Sequence, residues 1–171
     1  KPDVNRKKKW RTFSRVYDVP EEMRTYSSVW DNYPIGHGFA TSRLNSPHGW
    51  ISHQSHQTAG QWIMLDLGTT ETINGILVMS RPEYSCHVKK VRVHVYSASG
   101  EHIVVGEFDT GLTGSHTERK RIHFPAVKAR KVKLEALEWH DLLAMRVAVF
   151  VMEEDPFRFY VDRAAAFMNI T

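Results

Sequence analysis

Short apolar runs, many of them alternating with polar residues, fill the sequence between residues 27 and 151, where helical periodicity is nearly absent. Val91, Val93 and Val95 alternate with polar neighbours, which is the pattern of a strand with one face in a core and the other in solvent. Valine, isoleucine and aromatic residues dominate the runs, and each run has the length of a strand. We therefore predict an all-β chain, an antiparallel β-sandwich or jelly roll of seven or eight strands. The predicted strands are 61–67, 73–79, 88–96, 103–108, 119–124, 131–137 and 145–152.

Turn-forming residues separate these runs and predict where the chain reverses direction. The signals are Asp-Leu-Gly at 66–68, Asn-Gly at 74–75, Ser-Gly at 99–100, Thr-Gly at 110–111 and Phe-Pro at 124–125. The sequence contains no repeat of fixed period and no low-complexity tract, so we expect a single sandwich domain.

The composition narrows the class of protein further. The chain has 171 residues, 42% hydrophobic and 25% charged, which excludes a largely disordered chain and is enough for a self-sufficient core. No apolar run approaches the roughly 20 residues of a membrane-spanning helix, so we predict no transmembrane segment. Cys86 is the single cysteine, which excludes an intrachain disulfide and a cysteine-rich zinc site. The net charge of +4 arises partly from the start of the chain, because the first eleven residues carry six basic side chains and one acidic one. The rest of the chain is close to neutral, which favours a glycan or protein ligand over a strongly anionic one.

Both ends of the chain differ from its middle. Because the sequence begins at Lys1 without a methionine or a signal peptide, we expect it to be part of a longer protein. Residues 1–26 are interpreted as a basic arm and lead-in. The arm is either a solvated chain end or a segment that attracts phosphates, sulfates or an anionic membrane. Within 152–171, Asp155 and Pro156 predict the start of a short C-terminal helix. The apolar stripe of this helix comprises Phe157, Tyr160, Val161, Ala164, Phe167 and Met168. Such a stripe must be buried, so we predict that it contacts the domain itself, a neighbouring domain or a partner.

An ordered series of short strings runs through residues 27–151. It consists of Ser-Ser-Val-Trp at 27–30, Arg-Leu-Asn at 43–45, Gly-Trp at 49–50, the block 60–68, Ile-Asn-Gly-Ile at 73–76, Arg81, Val-Lys-Lys-Val-Arg-Val at 88–93, Tyr-Ser at 96–97, Gly100, Pro125, Ala-Arg-Lys-Val-Lys-Leu at 129–134, Glu-Trp-His at 138–140 and Met-Arg at 145–146. In this order and at these spacings the strings resemble the discoidin, or coagulation-factor type C, domain. The resemblance leaves the arm at 1–26 and the extension at 152–171 outside it.

The resemblance implies an antiparallel jelly-roll sandwich of the galactose-binding-like type, similar to carbohydrate-binding modules, with ligand recognition in loops at one end. Members of the family bind glycans, anionic phospholipid surfaces or other proteins, so the fold alone does not select a ligand. Three departures are visible. The two cysteines that join the termini in many extracellular members are missing, residues 114–117 replace a common Gly-Asn-x-Asp pattern, and no Asp-Gly-Asn/Asp element typical of calcium sites is present.

Several residues are predicted to belong to the scaffold. Trp50, Trp62 and Trp139 are expected in the core because tryptophan buries a large apolar area. Arg146 lies in an otherwise apolar final strand and needs a partner there, so we predict an internal pair with Asp66.

The resemblance also implies that three loops lie together at the binding end: 30–39, 48–57 and 80–87. They combine aromatic rings, which suit the C–H patch of a sugar, with amides, hydroxyls and histidines that can donate and accept hydrogen bonds. For Trp30 and Phe39, folding back as anchors of the first loop is an equally weighted alternative. The predicted ligand-binding residues are Trp30, Asp31, Asn32, Tyr33, His37, His53, His56, Arg81, Tyr84 and His87.

Metal, cofactor and catalytic sites are not predicted. His53 and His56 are three residues apart, but neither a helix nor a carboxylate ligand accompanies them. Cys86 and His87 are adjacent only in sequence, and no nucleophile elbow, paired acid motif or phosphate-binding glycine loop occurs.

The sequence therefore predicts a non-catalytic glycan-binding or adhesion module of a larger protein, whose partner is a glycan or glycoprotein on the outside of the cell or at its surface. Two alternatives stay open: a protein-interaction module in a larger, intracellular assembly, with a partner bound through the C-terminal helix, and a peripheral binder of anionic phospholipid or sulfated glycan. The missing terminal disulfide favours the intracellular alternative, since cytosolic proteins avoid such bridges. Nucleic acid is not an expected partner.

Overall fold

The computed structural model describes residues 13–153, whose regular structure consists of eight antiparallel strands and two short 3₁₀ turns. The turns are Glu21–Met23 and Trp30–Asn32. The strands are β1 (Phe13–Tyr17), β2 (Arg24–Tyr26), β3 (Trp50–Ile51), β4 (Trp62–Met79), β5 (His87–Tyr96), β6 (His102–Asp109), β7 (Arg119–His140) and β8 (Ala144–Glu153).

Two long strands, β4 and β7, join the two layers of the sandwich. The sheet order is β1-β8-β4-β7-β5-β6, with β2 added beside β4 and β3 beside β8. The second half of β4 pairs with β8, while its first half pairs with β2, and both halves pair with β7. The inner faces of both layers contribute to one apolar core, to which Leu65, Val93, Ile76 and Val149 belong. The predicted all-β antiparallel jelly-roll sandwich is confirmed.

Three of the five predicted turns are wrong, because they are irregularities inside continuous strands. The register of β4 with β7 shifts between Asp66 and Glu71, and again between Ile73 and Gly75. Both the Asp-Leu-Gly and the Asn-Gly signals thus mark bulges, which bend a strand without ending it. The Phe-Pro signal at 124–125 lies opposite the second bulge, inside β7. At Gly75 a Cβ atom would lie 2.5 Å from the backbone oxygen of Ile122, so the bulge requires glycine there.

The chain directions place four loops at one end of the sandwich. These loops are 52–61, 80–86, 110–118 and 141–143. They meet because the first half of β4 and all of β5 begin at this end, where the second half of β7 finishes. We call this the loop end. The hairpin between β5 and β6 lies at the other end of β5.

The three tryptophans are buried to different extents. Trp50 is fully buried, its indole Nε1 donates to the Ser28 carbonyl at 2.8 Å, and its ring stacks on Tyr26. Trp139 is partly buried and packs on the edge of the core. Trp62 is only half-buried, because the alternation of β4 places Ile63 and Leu65 inward and Trp62 outward, so its assignment to the core is wrong.

Arg146 and Asp66 do not form the predicted pair. Arg146 is buried near the loop end, where Nε donates to the Ser80 carbonyl at 2.9 Å and the terminal nitrogens donate to the carbonyls of Leu44 and His116, each at 2.7 Å. Burial lowers the pKa of Arg146. Asp66 lies at the bulge of β4, where it accepts a hydrogen bond from Nε of Arg130 at 2.9 Å.

Arg24 is a second buried arginine and is completely enclosed. Its Nε donates to the Val19 carbonyl at 2.9 Å, one terminal nitrogen donates to both Ser42 Oγ and the Val147 carbonyl at 2.9 Å, and the other contacts Asp18 at 2.8 Å. Burial lowers its pKa, and nearby acidic groups oppose that shift. The guanidinium thereby links the segment before β2, the loop after it and β8.

The predicted end segments lie largely outside the described residues. Residues 13–17 and 24–26, predicted as part of the lead-in, are strands of the sheet, and residues 152–153 continue β8. The basic residues before position 13 and the predicted C-terminal helix fall outside the described part, and the division into 1–26, 27–151 and 152–171 stays a prediction. Within 13–153, no helix is long and apolar enough to cross a membrane.

The substitution Arg24→Met tests the contribution of the buried guanidinium of Arg24, which pairs with Asp18, to stability. It leaves the Asp18 carboxylate and two carbonyls without their buried donor, so the free energy of unfolding is expected to fall by about 3 kcal/mol. Chemical denaturation measures the change. Arg119→Met, at an exposed position, serves as the matched control and should change stability by no more than about 0.5 kcal/mol. Equal losses for the two variants would contradict this role for Arg24.

Candidate functional site

Arg81 lies at the centre of the loop end between two aromatic rings. Its guanidinium carbon is 4.5 Å from the centroid of Tyr84 and 5.3 Å from that of Phe39, distances typical of cation–π contacts. Arg81 is 8% exposed, its backbone N–H donates to the Cys86 carbonyl at 3.0 Å, and one terminal nitrogen lies 3.4 Å from Glu83. Nε of Arg81 is buried and has no hydrogen-bond partner among residues 13–153.

The first loop extends this aromatic arrangement. Tyr33 contacts Phe39 edge-on at 5.7 Å, and Phe39 contacts His48 in the same way and at the same distance. Trp30 and Phe39 also pack against the buried cluster that contains Cys86, as the alternative of a folded-back loop anchor requires. Tyr33 is 43% exposed and Tyr84 60% exposed, which leaves these two rings open to a ligand.

The second loop is tied to the first through Asp31. The backbone N–H of Asp31 donates to Gln54 Oε1 at 3.2 Å, and Gln54 Nε2 donates to Asp31 Oδ1 at 2.9 Å. Asp31 and Asn32 both have positive φ, 54° and 53°, which these residue types tolerate better than most. The side chain of Asn32 is exposed beside this link.

The predicted histidines occupy separate places. His53 and His56 lie 5.5 Å apart between ring centroids, and Nδ1 of His53 is 2.7 Å from Ser55 Oγ. His87 is buried at the start of β5, where its Nδ1 donates to the Ser85 carbonyl at 2.6 Å and its ring packs on His140. His37 is exposed, and its side chain makes no hydrogen bond to any residue in 13–153. Of the predicted set, the structure thus joins Tyr33, Arg81 and Tyr84 through Phe39, while His87 is built into the scaffold.

Four contributors to this end were absent from the predicted set: Phe39, His48, Glu83 and the loop 110–118. Phe39 links the first and third loops, and His48 Nδ1 lies 3.9 Å from a Glu83 oxygen. The loop 110–118 also belongs here, since a Cβ on Gly114 would lie 3.0 Å from Ser85. His48 and Glu83 fall inside the predicted loops and could have been chosen by residue type, whereas the approach of 110–118 has no local sequence signal.

The chemistry available at this end is hydrogen bonding, charge and stacking. Glu83 and the carboxylate of Asp31 supply acceptors, Arg81 supplies donors, and the tyrosines supply flat apolar faces. Among residues 13–153, no three His, Cys, Asp or Glu side chains form a group that could hold a metal ion. Cys86 is a buried free thiol.

Comparisons with known proteins agree with this architecture. A family model described as the F5/8 type C domain matches residues 24–149. Comparison with curated proteins finds no match. Among solved structures, a family 32 carbohydrate-binding module of Clostridium perfringens NanJ, in complex with galactose, has a TM-score of 0.60 at 15% identity and covers 84% of this chain and 100% of its own.

Two further structures are similar. The C. perfringens module CpGH89CBM32-5, in complex with GalNAc-β-1,3-galactose, has a TM-score of 0.58 at 21% identity and covers 78% of this chain and 97% of its own. Recombinant discoidin II of Dictyostelium discoideum has a TM-score of 0.57 at 13% identity over 85% of this chain, which matches 56% of the length of discoidin II. At these identities the three structures show a common fold.

Glycine substitutions in the first loop test the packing of Tyr33. Gly36 and Gly38 both have positive φ, so alanine at either position should cost about 1 kcal/mol of stability. A Cβ on Gly38 would also lie 2.6 Å from the Tyr33 ring, whereas on Gly36 it meets nothing closer than 3.9 Å. We expect Gly38→Ala to abolish the nuclear Overhauser effects between Tyr33 and Phe39, and Gly36→Ala to retain them. Their persistence in Gly38→Ala would show that the ring is not held as described.

Proposed function

This chain belongs to the F5/8 type C domain family, and we propose that it is a non-catalytic module of a larger protein that binds glycans through the loop end of its sandwich. The stacking of Arg81 between Phe39 and Tyr84 carries the proposal. The NanJ and CpGH89CBM32-5 modules, which share the fold, were both solved with galactose-containing ligands. Their ligands support a glycan as the partner class.

The arrangement around Arg81 suits a sugar because it offers two kinds of contact side by side. Tyr84, which is 60% exposed, presents a flat ring to an apolar C–H face, while Arg81 and Glu83 offer a charged donor and acceptor to hydroxyl groups. The terminal nitrogen of Arg81 that does not face Glu83 has no hydrogen-bond partner in residues 13–153, so the guanidinium retains a donor for a ligand. Because Phe39 holds Arg81 from behind, less side-chain entropy is lost on binding.

The anionic-surface alternative receives less support from the same loops. It requires Trp30, Tyr33 and Phe39 as wedges that enter a membrane, but Trp30 and Phe39 pack against the buried cluster of Ile51, Cys86 and Ala144. The protein-interaction alternative depends on the predicted C-terminal helix, which lies outside the described residues. We therefore favour a glycan displayed outside the cell or on its surface, where such a module would place the parent protein on its target.

The variant Tyr84→Ala tests the loop end on a glycan array, with the protein displayed multivalently because single-sugar affinity is expected to be weak. We expect the wild type to bind glycans ending in galactose or a related hexose, and Tyr84→Ala to bind about tenfold more weakly through loss of the stacking face. Phe13→Ala is the matched control, since Phe13 is an exposed aromatic at the far end of the sandwich.

Absence of binding by the wild type to every glycan would overturn the proposal. Equal binding by Tyr84→Ala and Phe13→Ala would move the site away from Arg81. Denaturation curves of both variants establish that each is folded under the array conditions.

A further inference from the structure

A groove of about 450 Å³ lies at the end of β5 that is opposite the loop end. We call it the hairpin groove. It is lined by Met64 and Asp66 of β4, Tyr96 of β5, Arg130 and Lys131 of β7, and three residues of the hairpin: Ser97, Ala98 and Gly100. Met64 and Asp66 alternate with the core residue Leu65, and Lys131 is exposed beside the core residue Val132, so the groove is on the outer face of the sandwich. It shares no residue with the site around Arg81.

Arg130 is held in the groove in a way that leaves most of its donors free. Asp66 Oδ1 accepts from Nε of Arg130 at 2.9 Å and also from the backbone N–H of Gly68 at 2.9 Å. Partial burial raises the pKa of Asp66, but the hydrogen bonds from Arg130 and Gly68 and the charge of Lys131 outweigh this and lower it. The two terminal nitrogens of Arg130 have no partner within 13–153. Asp66 therefore orients the guanidinium and occupies only its inner edge.

The charge of the groove is positive beyond that pair. Among residues 13–153, no carboxylate lies within 4.0 Å of the ammonium groups of Lys131 and Lys133. Lys131 lines both the hairpin groove and an adjoining hollow of about 150 Å³. The lining of that hollow includes two acids, Asp66 and the exposed Glu22. Lys133, one outward position further along β7, is 5.8 Å from the ring centroid of Tyr96.

The hairpin also carries backbone N–H groups without acceptors beside the groove, which Ala98 lines. Its internal hydrogen bonds run from the Ser97 N–H to the Glu101 carbonyl at 2.9 Å and from the Gly100 N–H to the Ser97 carbonyl at 3.0 Å. The N–H groups of Ala98 and Ser99 have no acceptor in the described chain. Amides of a tight turn without acceptors, next to unpaired cations, form an environment that favours an oxyanion.

We propose that the hairpin groove is a second ligand site, which takes an acidic sugar through its carboxylate or sulfate group. The terminal nitrogens of Arg130 and the ammonium of Lys131 bind the oxyanion. Met64 contacts the apolar side of the sugar ring, while Tyr96, whose ring stacks on His102 at 4.7 Å between centroids, borders the groove. Carboxylated and sulfated saccharides share this chemistry, so both belong to the proposed class.

The test is a titration of the ¹⁵N-labelled 171-residue protein followed by amide chemical shifts, with three probes. They are trigalacturonate for the carboxylate, a heparin-derived tetrasaccharide for the sulfate, and maltotriose as the neutral control. We expect at least one acidic probe to shift the amides of 97–100, 130 and 131, and maltotriose to leave them unchanged. Binding should weaken as salt is added.

The variant Lys131→Glu should reduce the affinity for the acidic probe by about tenfold. Lys89→Glu, at another exposed lysine without a carboxylate within 4.0 Å in the described chain, makes the same change of net charge and should stay within about twofold of the wild type. Lys131→Gln removes the charge without reversing it and keeps the test valid if Lys131→Glu is unstable.

Several results would overturn the proposal. These are no shift at 97–100 with either acidic probe, an equal shift with maltotriose, or equal losses for Lys131→Glu and Lys89→Glu. A further contrary result would be that the protein binds neither saccharide but sediments with phosphatidylserine vesicles, and that Lys131→Glu prevents this sedimentation. In that case the ligand of the groove would be a lipid surface and not an acidic sugar. Because the two sites lie at opposite ends of β5, shifts at 81–84 report on the loop end separately, so the two proposals succeed or fail independently.

Discussion

A guanidinium ion cannot remain in an apolar interior unless its hydrogen-bonding groups find acceptors, and two such ions organise this sandwich. Arg146 uses the carbonyls of Leu44, Ser80 and His116, so three loops must close around one side chain of β8. Arg24 likewise requires an acceptor in this segment, which is Ser42 Oγ. Because Ser42 and Leu44 are each held by a buried arginine, residues 42–44 cross the outer face of β4 and β8, where Leu44 packs on Phe150. Both faces of β8 are therefore covered.

This closure explains how irregular loops can present a defined surface. With Ser80 fixed on Arg146 and the Arg81 N–H on Cys86, the backbone that carries Arg81 is held at both sides of the residue. Phe39 then determines where the guanidinium lies. A ligand would meet side chains that are already ordered, which reduces the entropic cost of recognition. The rigidity of the candidate site thus derives from the core strand β8 and the polar groups it supports.

The sequence predicted the strand positions and the sandwich because alternation and β-branched composition are local properties of the chain. It misjudged 66–68, 74–75 and 124–125 because the residues that form a turn also form a bulge, and only the facing strand distinguishes the two. The partner of Arg146 was unpredictable for a related reason, since backbone carbonyls satisfy a guanidinium as well as a carboxylate does. At the candidate site, residue type alone predicts Arg81 and Tyr84 as ligand-binding residues, whereas the linking role of Phe39 depends on loop packing that no spacing reveals.

The pairing of β1 with β8 has a mechanical consequence. Phe13 lies opposite Glu153, so the start of β1 and the end of β8 are adjacent points, at the far end of the sandwich from the loops. A load applied between these two points would separate the antiparallel pairs one after another, from Phe13 towards Tyr17, as a zipper opens. Peeling of this kind needs little force compared with shearing all the pairs at once. A load between the loop end and these points would run along the strands instead. The sandwich should therefore resist a pull applied at the loop end better than a pull that separates Phe13 from Glu153.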